Sequence, residues 1–324
     1  MPRFLRMLLL GVCLISATNL VKARPLRMID PPRDLSVEMF YHGLTSNFGF
    51  SLDSSSGLDG SLTSGSQVNS GRLMIVGGLM SAGLLAIHIY QQNGWWKNNR
   101  RSFHFEEDLT YALNFDKIGH FYGAAFLTFV FSKSLEWADV PEPRALLFGA
   151  LSSILFQTYV EVEDGYSAWG FDRVDFAADL LGAWYPLLSY HIPSLKNFDL
   201  KFSYLPSKNV NAPGGFPGQR HLLLNDYEGQ TLWLSMKVNN IVPESVEKYW
   251  RDFLCVTFGY AGRGFFAQTQ PYRVYFIGLD YDMTKIIPSN TWFLRTLGEV
   301  LNFIRLPAPT VRIHPTTIWY GLYF

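Results

Sequence analysis

The sequence predicts an α+β protein, in which a four-helix membrane or membrane-associated bundle precedes an antiparallel β-rich module with one inserted amphipathic helix. Three observations support this prediction. Only 17% of the 324 residues are charged, whereas 16% are aromatic. Residues 73–190 contain four largely apolar segments, and apolar and polar side chains alternate after about residue 196. Long apolar runs are typical of membrane or buried helices, and a period of two is typical of strands.

The composition excludes some classes of protein. The 27 Lys and Arg residues balance the 27 Asp and Glu residues, so the net charge is zero. A neutral chain has no overall attraction for phosphates, which argues against a nucleic-acid-binding protein. Abundant aromatic residues exclude a disordered polar chain. Few charges and many aromatic residues favour a membrane or its interface.

Residues 1–23 are predicted to form a signal peptide. Arg3 and Arg6 precede a short apolar core, Met7–Ile15, and cleavage is expected after Ala23. An uncleaved anchor is the alternative. Cleavage would leave Cys255 as the only thiol, which excludes an intramolecular disulfide and favours a packed hydrophobic role. Residues 24–70 end in Ser- and Gly-rich sequence and are predicted to form a flexible exported segment.

The strongest physical signal is the uncharged run from Leu73 to Tyr90. As a helix it would be about 27 Å long, which nearly crosses the hydrocarbon core of a bilayer. Gly77, Gly78 and Gly83 would favour close helix packing within lipid. A wholly buried helix in a soluble protein is the alternative.

Three shorter apolar segments follow, at residues 118–132, 145–160 and 174–190, and complete a predicted helical bundle over residues 71–195. Lys97, Arg100 and Arg101 follow the first helix, so the positive-inside rule places that loop in the cytoplasm of an inner-membrane protein. The favoured location is therefore the inner membrane, with the C-terminal module in the periplasm.

Residues 196–324 form the predicted β-rich module. Residues 198–204, 232–238, 273–283 and 317–324 have strand-like patterns, and Phe293–Ile304 reads as an amphipathic helix. The last residues resemble the aromatic final strands of outer-membrane barrels. A closed membrane barrel needs at least about eight strands, and only five or six are counted here. An outer-membrane β protein with helical accessory segments is therefore the minority interpretation.

Polar side chains gather where three of the predicted helices begin or end. Asp116, Lys117 and His120 open the second helix. In an up-down bundle, the end of the third helix and the start of the fourth lie on the same side. Acids at those two ends therefore converge on Asp116, Lys117 and His120. These acids are Glu161, Asp164, Asp172, Asp175 and Asp179.

Three interpretations of this convergence remain open. His120, Asp116 and Lys117 could be catalytic, acting by general acid–base chemistry. Glu161, Asp164, Asp172, Asp175 and Asp179 could instead hold a divalent metal, the one candidate cofactor that these residues suggest. The third interpretation is a structural ion network in which Lys117 and Arg173 neutralise the acids and Asp116 and Asp172 cap helices. Common nucleophile, nucleotide and zinc motifs are absent from the sequence.

The order of these motifs resembles a known family. Asp116-Lys117-x-x-His120, then Glu161-x-x-Asp164, then Asp172-x-x-Asp175 and Asp179 are similar to the YfiM-like family of predicted envelope proteins of unknown function. The segment at residues 278–286 resembles a C-terminal extension of longer Bacteroidetes-type members. A fainter similarity to VanZ-like membrane proteins rests on the same helix start. The resemblance implies a helical core and residence in the envelope, and it implies no reaction.

The leading hypothesis is a bacterial cell-envelope membrane protein with a structural or lipid-interacting role. Membrane lipid is the expected partner, and nucleic acid is not expected. The first alternative is a metal-dependent membrane hydrolase or transferase acting on a lipid or head group, in which Lys117 or Arg173 would contact phosphate. The second alternative is the outer-membrane β protein.

Overall fold

The computed structural model describes residues 68–324 apart from residues 95, 98, 108, 208–225 and 266–269. The predicted signal peptide and nearly all of the predicted flexible segment lie outside the described residues, so both stay predictions.

Four long helices form the first half of the described chain. They are α1 (Ser70–Asn93), α2 (Phe115–Trp137), α3 (Glu142–Gly165) and α4 (Arg173–His191). Each predicted apolar segment lies within one of them, so the four helices are confirmed. Two of these helices have a side-chain N-cap. The Asn69 side chain accepts a hydrogen bond from an α1 amide, and the Asp172 side chain accepts from two α4 amides.

Helix α2 lies between α3 and α4, because small residues allow close approach. A Cβ added to Gly149 would lie 2.8 Å from the carbonyl oxygen of Thr128, and one added to Gly182 would collide with the backbone of Phe121. Two buried hydroxyls donate across these contacts, from Thr128 to the Ala183 carbonyl at 3.0 Å and from Ser153 to the Ala124 carbonyl at 2.9 Å. Helices α2, α3 and α4 therefore form one packed unit.

Helix α1 contacts this unit at its two ends and, through Leu84 and His88, at the apolar cluster around Tyr159. Arg72 pairs with Asp139 at 3.3 Å, and Gln92 donates to Glu163 at 3.1 Å. Between these contacts α1 exposes apolar side chains such as Leu79, which is 68% exposed. Helices α1 and α3 are long and apolar enough to cross a membrane by length and composition, but most of the apolar window of α3 is packed inside the protein. A four-helix membrane bundle is thus not confirmed.

A six-stranded antiparallel sheet follows, with its strands in chain order. The strands are β1 (Phe198–Tyr204), β2 (Gln230–Met236), β3 (Leu254–Arg263), β4 (Tyr272–Tyr281), β5 (Ala308–His314) and β6 (Ile318–Tyr323). Short helices α5 (Glu244–Glu247) and α6 (Met283–Ile286) and the longer α7 (Trp292–Leu301) lie in the connections. The α+β class and the inserted helix are confirmed.

The structure differs from the sequence pattern at three elements. Strand β3 is not among the four predicted strand ranges, because Gly259, Ala261 and Gly262 weaken its apolar alternation. Strand β5 is not among the predicted strand ranges either, because Pro307 precedes it and Pro309 lies within it. Helix α7 ends at Leu301, since residues 303–305 pair with β1 instead of continuing the helix.

The sheet lies beside α2 along most of the length of this helix. At the start of α2, the rings of Phe115 and Tyr260 stack with centroids 6.2 Å apart. In the middle, the Tyr122 hydroxyl donates to the Phe303 carbonyl at 2.7 Å. Near the end, Lys133 pairs with Glu299 of α7 at 2.9 Å. The bundle and the sheet therefore lie side by side along the length of α2.

Candidate functional site

A tight turn positions the start of α2. Ala112, Leu113 and Asn114 have positive φ angles of 45°, 59° and 69°. Left-handed backbone is unfavourable for Ala and Leu, so the surroundings must stabilise it. Tyr260 and Arg273 of the sheet do so: the Tyr260 hydroxyl donates to the Leu113 carbonyl, and Arg273 donates to the Asn114 side chain at 3.0 Å. The sheet thereby fixes the first turn of α2.

Lys117 connects the start of α2 to the start of α4. Its ammonium group lies 3.0 Å from Asp172 Oδ2, 3.0 Å from Asp175 Oδ2 and 3.6 Å from Asp116 Oδ2. The Lys117 side chain is buried, so these carboxylates supply the partners that water would otherwise provide. Asp172 also caps α4 through Oδ1, and its own amide donates to Glu161 Oε2 at 3.2 Å. The ends of three helices are thus tied together by charged groups.

His120 lies one turn further into α2 and is surrounded by four carboxylates. Its Nδ1 atom is 3.2 Å from both oxygens of Asp179 and 3.7 Å from Glu161 Oε1. Gln157 donates to Asp179 Oδ1 and fixes the orientation of that carboxylate. The Nδ1 side of the ring therefore has a direct hydrogen-bond partner.

The Nε2 side of His120 has longer distances. Nε2 is 3.9 Å from Asp175 Oδ2 and 4.0 Å from Asp116 Oδ1. Asp175 Oδ1 is buried and has no hydrogen-bond partner among the described residues. Asp116 accepts a hydrogen bond of 2.8 Å from the Tyr227 hydroxyl. Three ligand-type side chains thus surround a gap that is too wide for direct hydrogen bonds.

We use the name His120 centre for this group, which comprises Asp116, Lys117, His120, Glu161, Asp172, Asp175 and Asp179. Two sets of three side chains in it have potential ligand atoms within 4.8 Å of one another. The first set is Asp116, His120 and Asp175, and the second is His120, Glu161 and Asp179. His120 belongs to both sets, through Nε2 toward the first set and through Nδ1 toward the second.

Burial and mutual charge shift the protonation of the centre. Burial raises the pKa of Glu161 to about 9 and that of Asp175 to about 7, although the charge of His120 opposes both shifts. Burial alone would lower the pKa of His120, but the hydrogen bond and charge of Asp179, with the charges of Asp116 and Asp175, raise it well above 6.5. The centre therefore favours a protonated imidazole and a neutral Glu161 near neutral pH.

Two residues named in the sequence predictions, Asp164 and Arg173, lie outside the His120 centre. Asp164 accepts a 2.6 Å hydrogen bond from the Trp96 indole, and burial raises its pKa to about 6. Arg173, expected to neutralise the acids or contact phosphate, instead pairs with Glu107 at 3.0 Å and lies over the Phe105 ring. Arg173 is exposed and takes no part in the His120 centre.

Two further residues of the site, Gln157 and Tyr227, are not among those that the sequence predicts. Gln157 lies one turn before Glu161 on α3, and this spacing could have indicated it. Tyr227 precedes β2 and is 111 residues from Asp116, so no local pattern predicts their contact. The remaining predicted site residues all lie in the His120 centre.

Part of this region is similar to a known protein family. Residues 103–191 match the profile of a family described as "Predicted periplasmic lipoprotein (DUF2279)". The match covers about a quarter of the chain, includes the whole His120 centre, and leaves α1 and the sheet outside. It supports an envelope protein of unknown function and does not confirm the YfiM-like or VanZ-like resemblances. No curated protein and no solved structure matches the chain.

Proposed function

We propose that this chain is a membrane-associated envelope protein whose His120 centre binds a divalent metal ion and uses it for hydrolytic or transfer chemistry. One observation carries the proposal: His120, Asp116 and Asp175 offer three ligand atoms within 4.8 Å of one another, and the buried Oδ1 atom of Asp175 has no hydrogen-bond partner among the described residues. One imidazole nitrogen and carboxylate oxygens are ligands that suit Mn²⁺, Fe²⁺ and Zn²⁺.

The contacts of Nδ1, the second ring nitrogen of His120, support this assignment. A histidine that ligates a metal usually donates its second nitrogen to a carboxylate, which fixes the ring and increases its basicity. Asp179 occupies that position at 3.2 Å from Nδ1, and Gln157 in turn holds Asp179. Metal binding at Nε2 would replace the proton that the surrounding acids hold on the ring.

The exposure of the three ligand side chains indicates where an open coordination position for water would lie. The side chains of His120 and Asp116 are 21% and 16% exposed, whereas that of Asp175 is 8% exposed. The Nε2 set is therefore buried at Asp175 and accessible from the side of Asp116. An ion with three protein ligands keeps a position for water, which it would activate for attack. Neighbouring carboxylates could accept the proton.

Metal content provides the test of this proposal. Full-length protein purified in detergent should bind about one equivalent of Mn²⁺ after dialysis, because the gap holds one set of ligands. Asp175→Asn and His120→Ala should each reduce affinity at least 10-fold. Asp164→Asn is the matched control, since this acid lies nearby on α3 but outside both ligand sets, and it should bind Mn²⁺ as the unsubstituted protein does.

Two results would contradict the proposal. One is the absence of stoichiometric binding by protein that is folded by circular dichroism. The other is an equal loss of affinity in Asp164→Asn, which would indicate nonspecific attraction to acids. Unsubstituted protein gives a further measurement that needs no variant: Mn²⁺ at 100 times its Kd should stabilise the fold by about 2.7 kcal/mol.

A structural ion network is the second candidate function, and the contacts of Lys117 favour it. This buried ammonium group bridges α2 and α4 through Asp172 and Asp175 at 3.0 Å each. The network alone would account for the convergence of acids. It predicts that Lys117 variants lose stability while the protein binds no metal, which separates it from the first candidate.

The membrane association in the proposal is supported by α1. Leu73–Tyr90 is uncharged, and Met74 and Leu79 are 70% and 68% exposed. We assign this exposed face to lipid hydrocarbon and the protein to the inner membrane, where an uncharged segment would be retained during export. Because the sheet lies beside α2, we assign the bundle and the sheet together to the periplasmic face of this membrane, in contact with it. Separation of inner and outer membranes tests this location.

A further inference from the structure

An apolar row crosses the outer face of the sheet. In register, Leu200 pairs with Leu234, Leu234 with Phe258, Phe258 with Ile277, Ile277 with Val311 and Val311 with Trp319. We call these six residues the outer row. Leu234, Phe258 and Ile277 are 43–45% exposed, and Trp319 is 80% exposed. At about 4.8 Å between strands, the outer row is about 24 Å long.

The neighbouring row on the opposite face is polar and enclosed. It runs across the same six strands through Asp199, Ser235, Thr257, Gly278, Thr310 and Tyr320. Ser235, Thr257 and Thr310 are at most 2% exposed. The buried ion pair Lys201–Asp280, at 3.0 Å, lies on this inner face as well. Trp233, Val274 and Phe276 also lie on the inner face and are each 2% exposed, so this face encloses polar and apolar side chains together, whereas the outer row is apolar and exposed.

An exposed apolar row opposite enclosed hydroxyls and an enclosed ion pair is unusual for a sheet in water. An antiparallel sheet in water normally buries its apolar face and exposes its polar face. Strands in membranes place apolar side chains outward toward lipid and polar side chains inward. Burying hydroxyls and an ion pair while exposing Phe, Ile and Trp would be costly in water. The arrangement is favourable only if the outer row is covered.

The outer row also continues an apolar interface of the protein. On the same face, the adjacent residues Phe202, Leu232 and Tyr260 are covered by Phe115 and Tyr122 of α2. The interface therefore extends past the helix onto the outer row, where no described element covers it. The outer row itself carries no charge, which complements hydrocarbon and offers nothing for a charged partner to pair with.

We propose that the outer row lies against the hydrocarbon of a lipid bilayer, so that the sheet is itself a membrane-contacting element. This proposal is independent of the metal centre. It changes the expected role of the C-terminal part of the chain from a water-exposed module to a second lipid contact beside α1.

Spin labels in lipid vesicles test this proposal on the full chain. Labels are attached to Leu234→Cys and Ile277→Cys in a Cys13→Ser background, with the buried Cys255 left in place. Ser289→Cys is the control, an exposed site before α7 and away from the outer row. In vesicles of phosphatidylethanolamine and phosphatidylglycerol, the ratio of oxygen to water-soluble nickel collisions should be several-fold higher at the two row positions than at the control.

A ratio at Leu234 and Ile277 equal to that at Ser289 would overturn the proposal. Dipolar broadening between labels on separate chains would also overturn it, because a second copy of the chain would then cover the row. Quenching by brominated lipid adds a measurement that needs no label. Trp319→Phe should remove a component of the tryptophan emission that brominated lipid quenches in the unsubstituted protein. Equal quenching in the variant and the unsubstituted protein would count against lipid contact.

Discussion

At the residue scale, the two nitrogens of His120 have different environments. Nδ1 has a partner in Asp179 at 3.2 Å, whereas Nε2 faces Asp116 and Asp175 across about 4 Å. A histidine that served only as a cation in an ion network would be expected to form direct contacts on both sides. The asymmetry is the reason that the metal assignment is preferred over the network for this residue.

The carboxylate behind the ring gives the first prediction. Asp179→Asn should weaken Mn²⁺ binding about 10- to 100-fold, because Asn holds the ring with a weaker hydrogen bond and without charge. The loss should be smaller than in Asp175→Asn, which removes a ligand. Isothermal titration of the two variants with Mn²⁺ compares the two losses of affinity. A larger loss in Asp179→Asn than in Asp175→Asn would place the ion on the Asp179 side of the ring.

The buried ammonium group gives the second prediction. Lys117→Met should lower the free energy of unfolding by about 3–5 kcal/mol, because Asp172 and Asp175 would lose their shared cation. Arg173→Met is the control, since Arg173 is an exposed partner of Glu107 and should cost less than about 1 kcal/mol. Chemical denaturation in detergent compares them. Equal effects would show that the burial of Lys117 is unimportant.

At the scale of elements, helix packing depends on particular glycines. The sequence pattern predicts the four helices, but it does not show that Gly182 touches the Phe121 backbone while Gly119 and Gly123 face open space. Gly182→Ala should therefore destabilise the bundle by about 1–3 kcal/mol, because α2 and α4 must separate. Gly123→Ala is the matched control and should be neutral or slightly stabilising. Thermal unfolding distinguishes them, and equal melting temperatures would contradict the packing.

Helix α1 gives the prediction on membrane association. Leu79→Asp should move a fraction of the protein from the membrane to the soluble fraction, because a charge would then lie on the exposed apolar face. Exposed Asn93, at the last position of α1, provides the control substitution Asn93→Asp. Flotation on a density gradient measures the partition. Equal flotation of both variants would argue against lipid contact along α1.

How much the sequence predicts depends on the distance along the chain over which the contacts form. Helix starts and the acids on them follow from local spacing, so Asp116, His120 and Asp175 could be brought together by topology alone. Tyr227 and Gln157 could not, because their roles depend on the packing of the sheet and on a side-chain direction. Strand β3 could not either, since its glycines are compatible with many structures until Trp233 is seen packed over Gly259.

At the scale of the whole molecule, the bundle and the sheet support a single site. The sheet holds the left-handed turn through Tyr260 and Arg273, and Tyr227 reaches Asp116. Contacts at Phe115, Tyr122 and Lys133 make the two parts one packed body. The sequence predicts a helical bundle over residues 71–195 and a β-rich module over residues 196–324 without the contacts between them, because contacts between distant segments leave no periodic signal in either one.

Locating the ion is the most direct test of the central claim. Crystals of the full chain grown with Mn²⁺ should show one anomalous peak within bonding distance of His120 Nε2, Asp116 and Asp175. The Nδ1 atom should remain bonded to Asp179. A crystal in which folded protein shows no anomalous peak between these three side chains, with His120 Nε2 hydrogen-bonded directly to a carboxylate, would contradict the metal assignment and leave the ion network as the explanation of the centre.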